Sequence, residues 1–144
     1  MLKRLHPVAG VLALLTILTF WMATILAETF GATATVVAVK TAIPWGFLLL
    51  IPALAAAGGS GFALGRQRSG ALIARKRRRM PFIAANGLLI LIPSALFLSF
   101  KAQAGEFDWP FYAVQALELI AGAVNIALLG LNLRDGLRLR PRAT

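Results

Sequence analysis

The sequence predicts an all-α fold: a four-helix transmembrane bundle made of two antiparallel hairpins, with both termini in the cytoplasm (N-in/C-in). Three observations predict it. Four stretches are apolar over about 20 residues, the length that crosses a bilayer as a helix. Thirteen of the fifteen Lys and Arg residues fall in alternate aqueous segments, on one side of a four-span topology. The links on the other side are short, which makes the helices they join antiparallel neighbours. The 144 residues suit one domain covering 1–144.

Composition narrows the chemistry before any motif is weighed. The chain is 59% hydrophobic and only 14% charged, with a mean hydropathy of +0.80. A soluble domain of this size keeps far more polar surface. There is no cysteine, which excludes disulfides, thiolate metal sites and cysteine nucleophiles. The single histidine, His6, excludes a multi-histidine zinc site within one chain. No Ser–His–Asp set or pair of neighbouring carboxylates points to hydrolysis.

The first span, about 8–27, has no charged residue. Lys3 and Arg4 precede it, as in a signal peptide, but a cleavable apolar region is about 7–15 residues. The longer run here is expected to be retained. The second span, about 36–57, contains Lys40, the third, about 81–100, is uncharged, and the fourth, about 109–133, contains Glu118. Lipid leaves backbone amides unsatisfied, so each span must be a helix.

Lys3 and Arg4, then Arg66, Arg68 and the run Arg75, Lys76, Arg77, Arg78 and Arg79, then Arg134, Arg138, Arg140 and Arg142 mark the cytoplasmic side. The opposite side carries Glu28, Glu106 and Asp108. This orientation, together with the spans, predicts a bacterial inner-membrane protein. The RKRRR run is expected to anchor topology and contact anionic lipid headgroups, worth about 1 kcal/mol per basic residue near the surface. Nucleic acid is not the expected partner, because no aromatic residues interleave with the run to stack on bases.

Residues 58–80 read as a basic cytoplasmic loop. The GGSG string at 58–61 is expected to stop the second helix. Pro44, Pro52 and Pro93 interrupt helices and shape packing. Trp109 sits at the outer interface, whereas Trp21 and Trp45 lie deeper and are expected to pack within the bundle.

The fourth span carries the clearest pattern. At spacings of four and three it reads Phe111, Gln115, Glu118, Gly122, Asn125, Leu129 and Asn132, one face of a helix. Polar groups in a spanning helix face the bundle interior. Glu118 lies about 13 Å inward from Trp109, nine steps of roughly 1.5 Å. Lys40 enters from the same side, one or two turns deep, so an ion pair is expected, against a lysine that snorkels outward. Glu28 and Lys101 sit at helix ends and extend this outer polar cluster. Asn86 and Asn125 share the inner half, where a hydrogen bond between helices contributes about 0.6–2 kcal/mol.

The string LHPVAG at 5–10 is similar to the LHxxxG start of the first helix in membrane b-type cytochromes and PepSY-type transmembrane proteins. That resemblance implies haem b ligation by His6. The chain departs from it in having no second histidine, so the axial partner becomes Met80, at the same depth, or the His6 of a second protomer. The whole chain also resembles small four-span proteobacterial inner-membrane proteins of no assigned activity, through the strings KTAIPWG, KRRRMPFIAANG and LLGLNLRDGLRL.

Three functional expectations follow. The leading one is a non-enzymatic accessory subunit or scaffold of a membrane complex or homo-oligomer. The alternatives are a haem b electron-transfer protein using His6, and a proton-coupled carrier using Glu118 and Lys40.

Overall fold

The computed structural model describes residues 1–139. The chain folds into four helices, α1 (Leu2–Phe30), α2 (Thr33–Arg66), α3 (Ala71–Gln103) and α4 (Trp109–Arg138). All four are long and apolar enough to cross a membrane, and the described residues contain no strand. α1 and α3 each pack against both α2 and α4. Successive helices are therefore antiparallel neighbours around a closed square, an up-down-up-down bundle. Arg140 and Arg142 lie outside the described residues.

The expected spans sit inside longer helices. α2 has 34 residues, about 51 Å at 1.5 Å per residue, against a hydrocarbon core of about 30 Å. Hydropathy marks only the portion that suits lipid, and the helices run on past it. The expected 58–80 loop is corrected accordingly: only 67–70 lies outside a helix. The GGSG string does not stop α2. Each glycine costs roughly 1 kcal/mol in a helix, but here Gly58 and Gly61 receive side chains. A Cβ on Gly61 would lie 2.8 Å from the His6 ring, and one on Gly58 would lie 3.7 Å from the Met80 methyl. The RKRRR run is also helical, because arginine, lysine, alanine and leucine are good helix formers.

α2 remains helical through Pro44 and Pro52. α3 instead widens at Gly87–Leu91 into a π-helical turn, where the Ile92 N–H reaches back to the Gly87 carbonyl. Pro93, which has no N–H to donate, lies just beyond.

The connections at the Trp109 end are tightly built. At Gly31 the backbone N–H bonds the Ala27 carbonyl at 2.9 Å, and a Cβ there would meet that oxygen at 2.6 Å. α3 ends in a Schellman motif. Gly105 takes a φ of 70°, its N–H bonds Ala102, and the Glu106 N–H bonds Lys101. Asp108 then caps α4 by accepting the Phe111 N–H at 3.2 Å. The Lys101 ammonium joins both halves of the turn, at 2.7 Å from Glu106 and 2.6 Å from Asp108. That hydrogen bond from Lys101 holds the Asp108 carboxyl below the usual carboxylate range.

Two apolar clusters hold the bundle. Ala27, Val36, Leu98, Ala102 and Phe111 fill the Trp109 end. Ala13, Ile17, Leu50, Ala53, Ile83 and Leu129 fill the basic half. Between them, two adjacent aromatics of α1 enter notches on different helices. Phe20 occupies the space that a side chain on Gly46 of α2 would need. Trp21 lies 2.9 Å from a Cβ placed on Gly122 of α4, and its indole N–H donates to the Leu119 carbonyl at 2.9 Å. Trp21 thus packs inside as expected. Trp45 does not: it is 72% exposed on the outer face of α2, because depth along a helix does not determine rotation about it.

Candidate functional site

The polar residues of the spans are stacked as layers along α4. The stripe predicted on that helix turns inward: Phe111, Gln115, Gly122, Asn125, Leu129 and Asn132 are all buried, and Glu118 is nearly so. It continues one step further than expected, to Asp135, which is wholly buried.

The outer layer joins three helices. Lys40 of α2, only 2% exposed, places its ammonium 2.9 Å from the Glu118 carboxylate of α4. The same ammonium lies 3.4 Å from the Thr24 hydroxyl of α1. The Gln115 amide N–H donates to the Glu118 oxygen at 3.2 Å. Lys40 is therefore turned into the bundle as a strut and does not snorkel outward. Two buried oxygens of this layer, Glu28 Oε1 and Gln115 Oε1, have no donor within the protein. Lys101, expected to join the layer, is engaged instead by the turn at Glu106 and Asp108. Below Glu118 lies a cavity of ≈ 50 Å³, lined mostly by apolar side chains including Phe20, Trp21 and Leu91.

The middle layer is amide chemistry. The Asn86 side chain donates to Asn125 Oδ1 at 2.8 Å and to the Ala121 carbonyl at 2.8 Å. Asn125 in turn donates to the Ile83 carbonyl at 3.4 Å. Asn86 immediately precedes the π-helical turn, so the bonds across to α4 fix the backbone where it departs from α geometry.

The inner layer was not anticipated. Arg79 of α3 lies 2.7 Å from the Asp135 carboxylate and 3.3 Å from Asn132 Oδ1. Asn132 also donates to the Met80 sulfur at 3.4 Å. Of the RKRRR run, Lys76 and Arg79 are half-buried against α4, whereas Arg75, Arg77 and Arg78 are exposed. The run therefore has two faces: one is neutralised by Asp135, and the other is free to meet anions. The signal that could have found Asp135 was the α4 stripe itself, since 135 lies three residues beyond 132 and so on the same helical face.

His6 packs against α2. Its Nδ1 is 3.0 Å from the Ala57 carbonyl and 3.2 Å from the Ser60 hydroxyl, while that hydroxyl donates to Ala56. Both partners accept, so Nδ1 carries the proton and the lone pair is on Nε2. Met80 reaches the neighbouring stretch of α2 at Gly58, but its sulfur is engaged by Asn132. Each proposed haem ligand thus has its own packing partners within the protein. Neither lines the internal cavity.

No protein-family model matches the chain, and neither a curated protein sequence nor a solved structure matches it.

Proposed function

We propose that this membrane protein is a small non-enzymatic subunit or scaffold of a bacterial inner-membrane complex, with its basic end and both termini in the cytoplasm. The observation that carries the proposal is the use of the polar side chains. Those of the α4 stripe are joined to α2 and α3 by the Lys40–Glu118, Asn86–Asn125 and Arg79–Asp135 contacts, and Lys40 reaches Thr24 of α1. This supports a rigid body whose outward apolar surface is left for lipid and for neighbouring spans. The exposed faces of Arg75, Arg77 and Arg78 fit the headgroups of anionic lipid on the cytoplasmic side.

The test is purification from native membranes into lipid discs, followed by cross-linking between spans. A partner chain, or a second copy, retained at fixed stoichiometry is the expected result. A chain that runs alone at every protein-to-lipid ratio rejects the reading. Protease accessibility of a tag inserted at 67–70 tests orientation independently.

The haem alternative rests on the free Nε2 of His6. It requires a Soret band in the purified protein that disappears in His6→Ala. The subunit reading expects no such band.

A further inference from the structure

We propose that the outward face of α1 at the basic end is a docking site for one anionic glycerophospholipid, with the phosphate on Lys3 and Arg4 and one acyl chain laid along Val8, Val11, Leu12 and Leu15. The proposal rests on the reading that the basic end of the bundle meets lipid headgroups, but not on whether the chain is a subunit of a larger assembly.

Shape is the first argument. A single open groove of ≈ 590 Å³ is lined by Lys3, Arg4 and Pro7 and, further along α1, by Val8, Val11, Leu12 and Leu15. Arg4, Val8, Val11 and Leu15 follow one another at steps of four, three and four, so they form one stripe of the helix. Polarity along the groove has one direction: the two cations are at its end, and the lining beyond them is apolar. From Arg4 to Leu15 is about 17 Å at roughly 1.5 Å per residue, close to one leaflet of a hydrocarbon core of about 30 Å. A phospholipid has the same order, a charged head followed by a chain of one leaflet's depth. The protein leaves the stripe uncovered, with Val8 64% and Leu15 54% exposed.

Charge is the second argument. His6, two residues beyond Arg4, is bonded to Ala57 and Ser60 of α2, which fixes Lys3 and Arg4 at the basic end. Among the described residues neither forms an ion pair. Glu118 is paired with Lys40, Asp135 with Arg79, and Glu106 and Asp108 with Lys101, while Glu28 lies near the opposite end of α1. The two cations at the mouth of the groove therefore complement an anion from outside the described chain. A second copy is a poor source of it, because Asp135, the one carboxylate among the described residues at that end, is 1% exposed. A lipid phosphate supplies the charge at the depth where the cations stand, and each basic residue near an anionic lipid surface strengthens attachment.

The experiment is native mass spectrometry of the full-length protein in detergent, titrated with phosphatidylglycerol or with phosphatidylcholine carrying the same acyl chains. Phosphatidylglycerol should bind first, one per protein, in preference to the zwitterionic lipid. The double variant Lys3→Gln, Arg4→Gln should bind it roughly 30-fold more weakly, since two basic residues at an anionic headgroup are lost. The double variant Arg66→Gln, Arg68→Gln removes the same charge from exposed positions at the same end and should bind as wild type does. A phosphatidylglycerol with a diazirine on its acyl chain tests the wild-type protein without any substitution, and should label 8–15 above all other segments. Equal binding of the two lipids, equal loss in the two double variants, or label spread evenly over the four helices overturns the proposal. A disulfide-linked dimer of Val11→Cys, in a chain with no native cysteine, also overturns it by giving the groove to a second copy. A protein that purifies without a partner yet passes these tests rejects the subunit reading and keeps this one.

Discussion

The Arg79 guanidinium and the Asp135 carboxylate meet at 2.7 Å where α3 and α4 pack, with Asp135 only 1% exposed and Arg79 19% exposed. Lys76 and Arg134 stand beside the pair. The Lys76 ammonium lies 3.2 Å from a Cβ placed on Gly136, and Arg134 Nε lies 3.6 Å from the second Asp135 oxygen. One buried carboxylate thus balances several cations. Removing it leaves them facing one another, and breaking a buried pair from one side costs about 3–5 kcal/mol. Asp135→Ala should lower stability by about that amount. Asp135→Leu combined with Arg79→Leu should recover most of the loss, which denaturant titration of the singles and the double will measure.

Lys40 and Glu118 obey the same logic deeper in the bundle. Lys40→Met leaves Glu118 without its ammonium, and Glu118→Leu leaves Lys40 without its carboxylate. Each single variant should be less stable than the double variant, in which no uncompensated charge remains in this pair. A double that is no more stable than the worse single would show that the two charges act independently.

The glycines divide by what lies opposite them. Gly46→Val and Gly122→Val thrust branched side chains at Phe20 and Trp21. Overpacking of this kind costs typically about 1–3 kcal/mol. A Cβ on Gly10 or Gly130 meets nothing within 4 Å, so Gly10→Ala and Gly130→Ala should stabilise their helices by roughly 0.5–1 kcal/mol. Thermal midpoints of the four variants should move in opposite directions by pairs.

At the α3–α4 turn the pH dependence has a definite sign. The Asp108 carboxyl is held below its ordinary value of 3.8 by the hydrogen bond from Lys101. A carboxyl depressed by folding adds stability that is complete above the unfolded value and is lost as pH falls through the lower folded one. Wild type should therefore exceed Asp108→Asn in stability at neutral pH, and the gap should close below about pH 4. The group is exposed, so the effect is small and is best read as a difference between two acid-unfolding curves.

The presence of the four spans and the inward stripe of α4 could be read from the residues, because hydropathy and helical period are local properties. The Lys40–Glu118 pair follows from depth alone, since an embedded lysine and an embedded glutamate at one height have few other partners. Asp135 is not legible in the same way, because it sits among arginines and reads as part of a solvated tail. The helical state of 58–66 and 71–80 was hidden for a related reason: hydropathy reports where lipid is, and helices continue past it when a neighbour supports them. Rotation was the other blind spot. Nothing local distinguishes Trp21, which faces α4, from Trp45, which faces outward.

The seating of Phe20 and Trp21 has a consequence for biogenesis. Phe20 finds its slot within the first hairpin, but the indole N–H of Trp21 is bonded to a carbonyl supplied by α4, which is synthesised after the other three helices. The amino-terminal pair of helices can insert early, yet it holds an unmet hydrogen-bond donor within the apolar layer until the carboxy-terminal pair arrives. Translation arrested after the second helix should therefore leave an intermediate that quality-control proteases recognise, and the arrival of α4 should end that vulnerability.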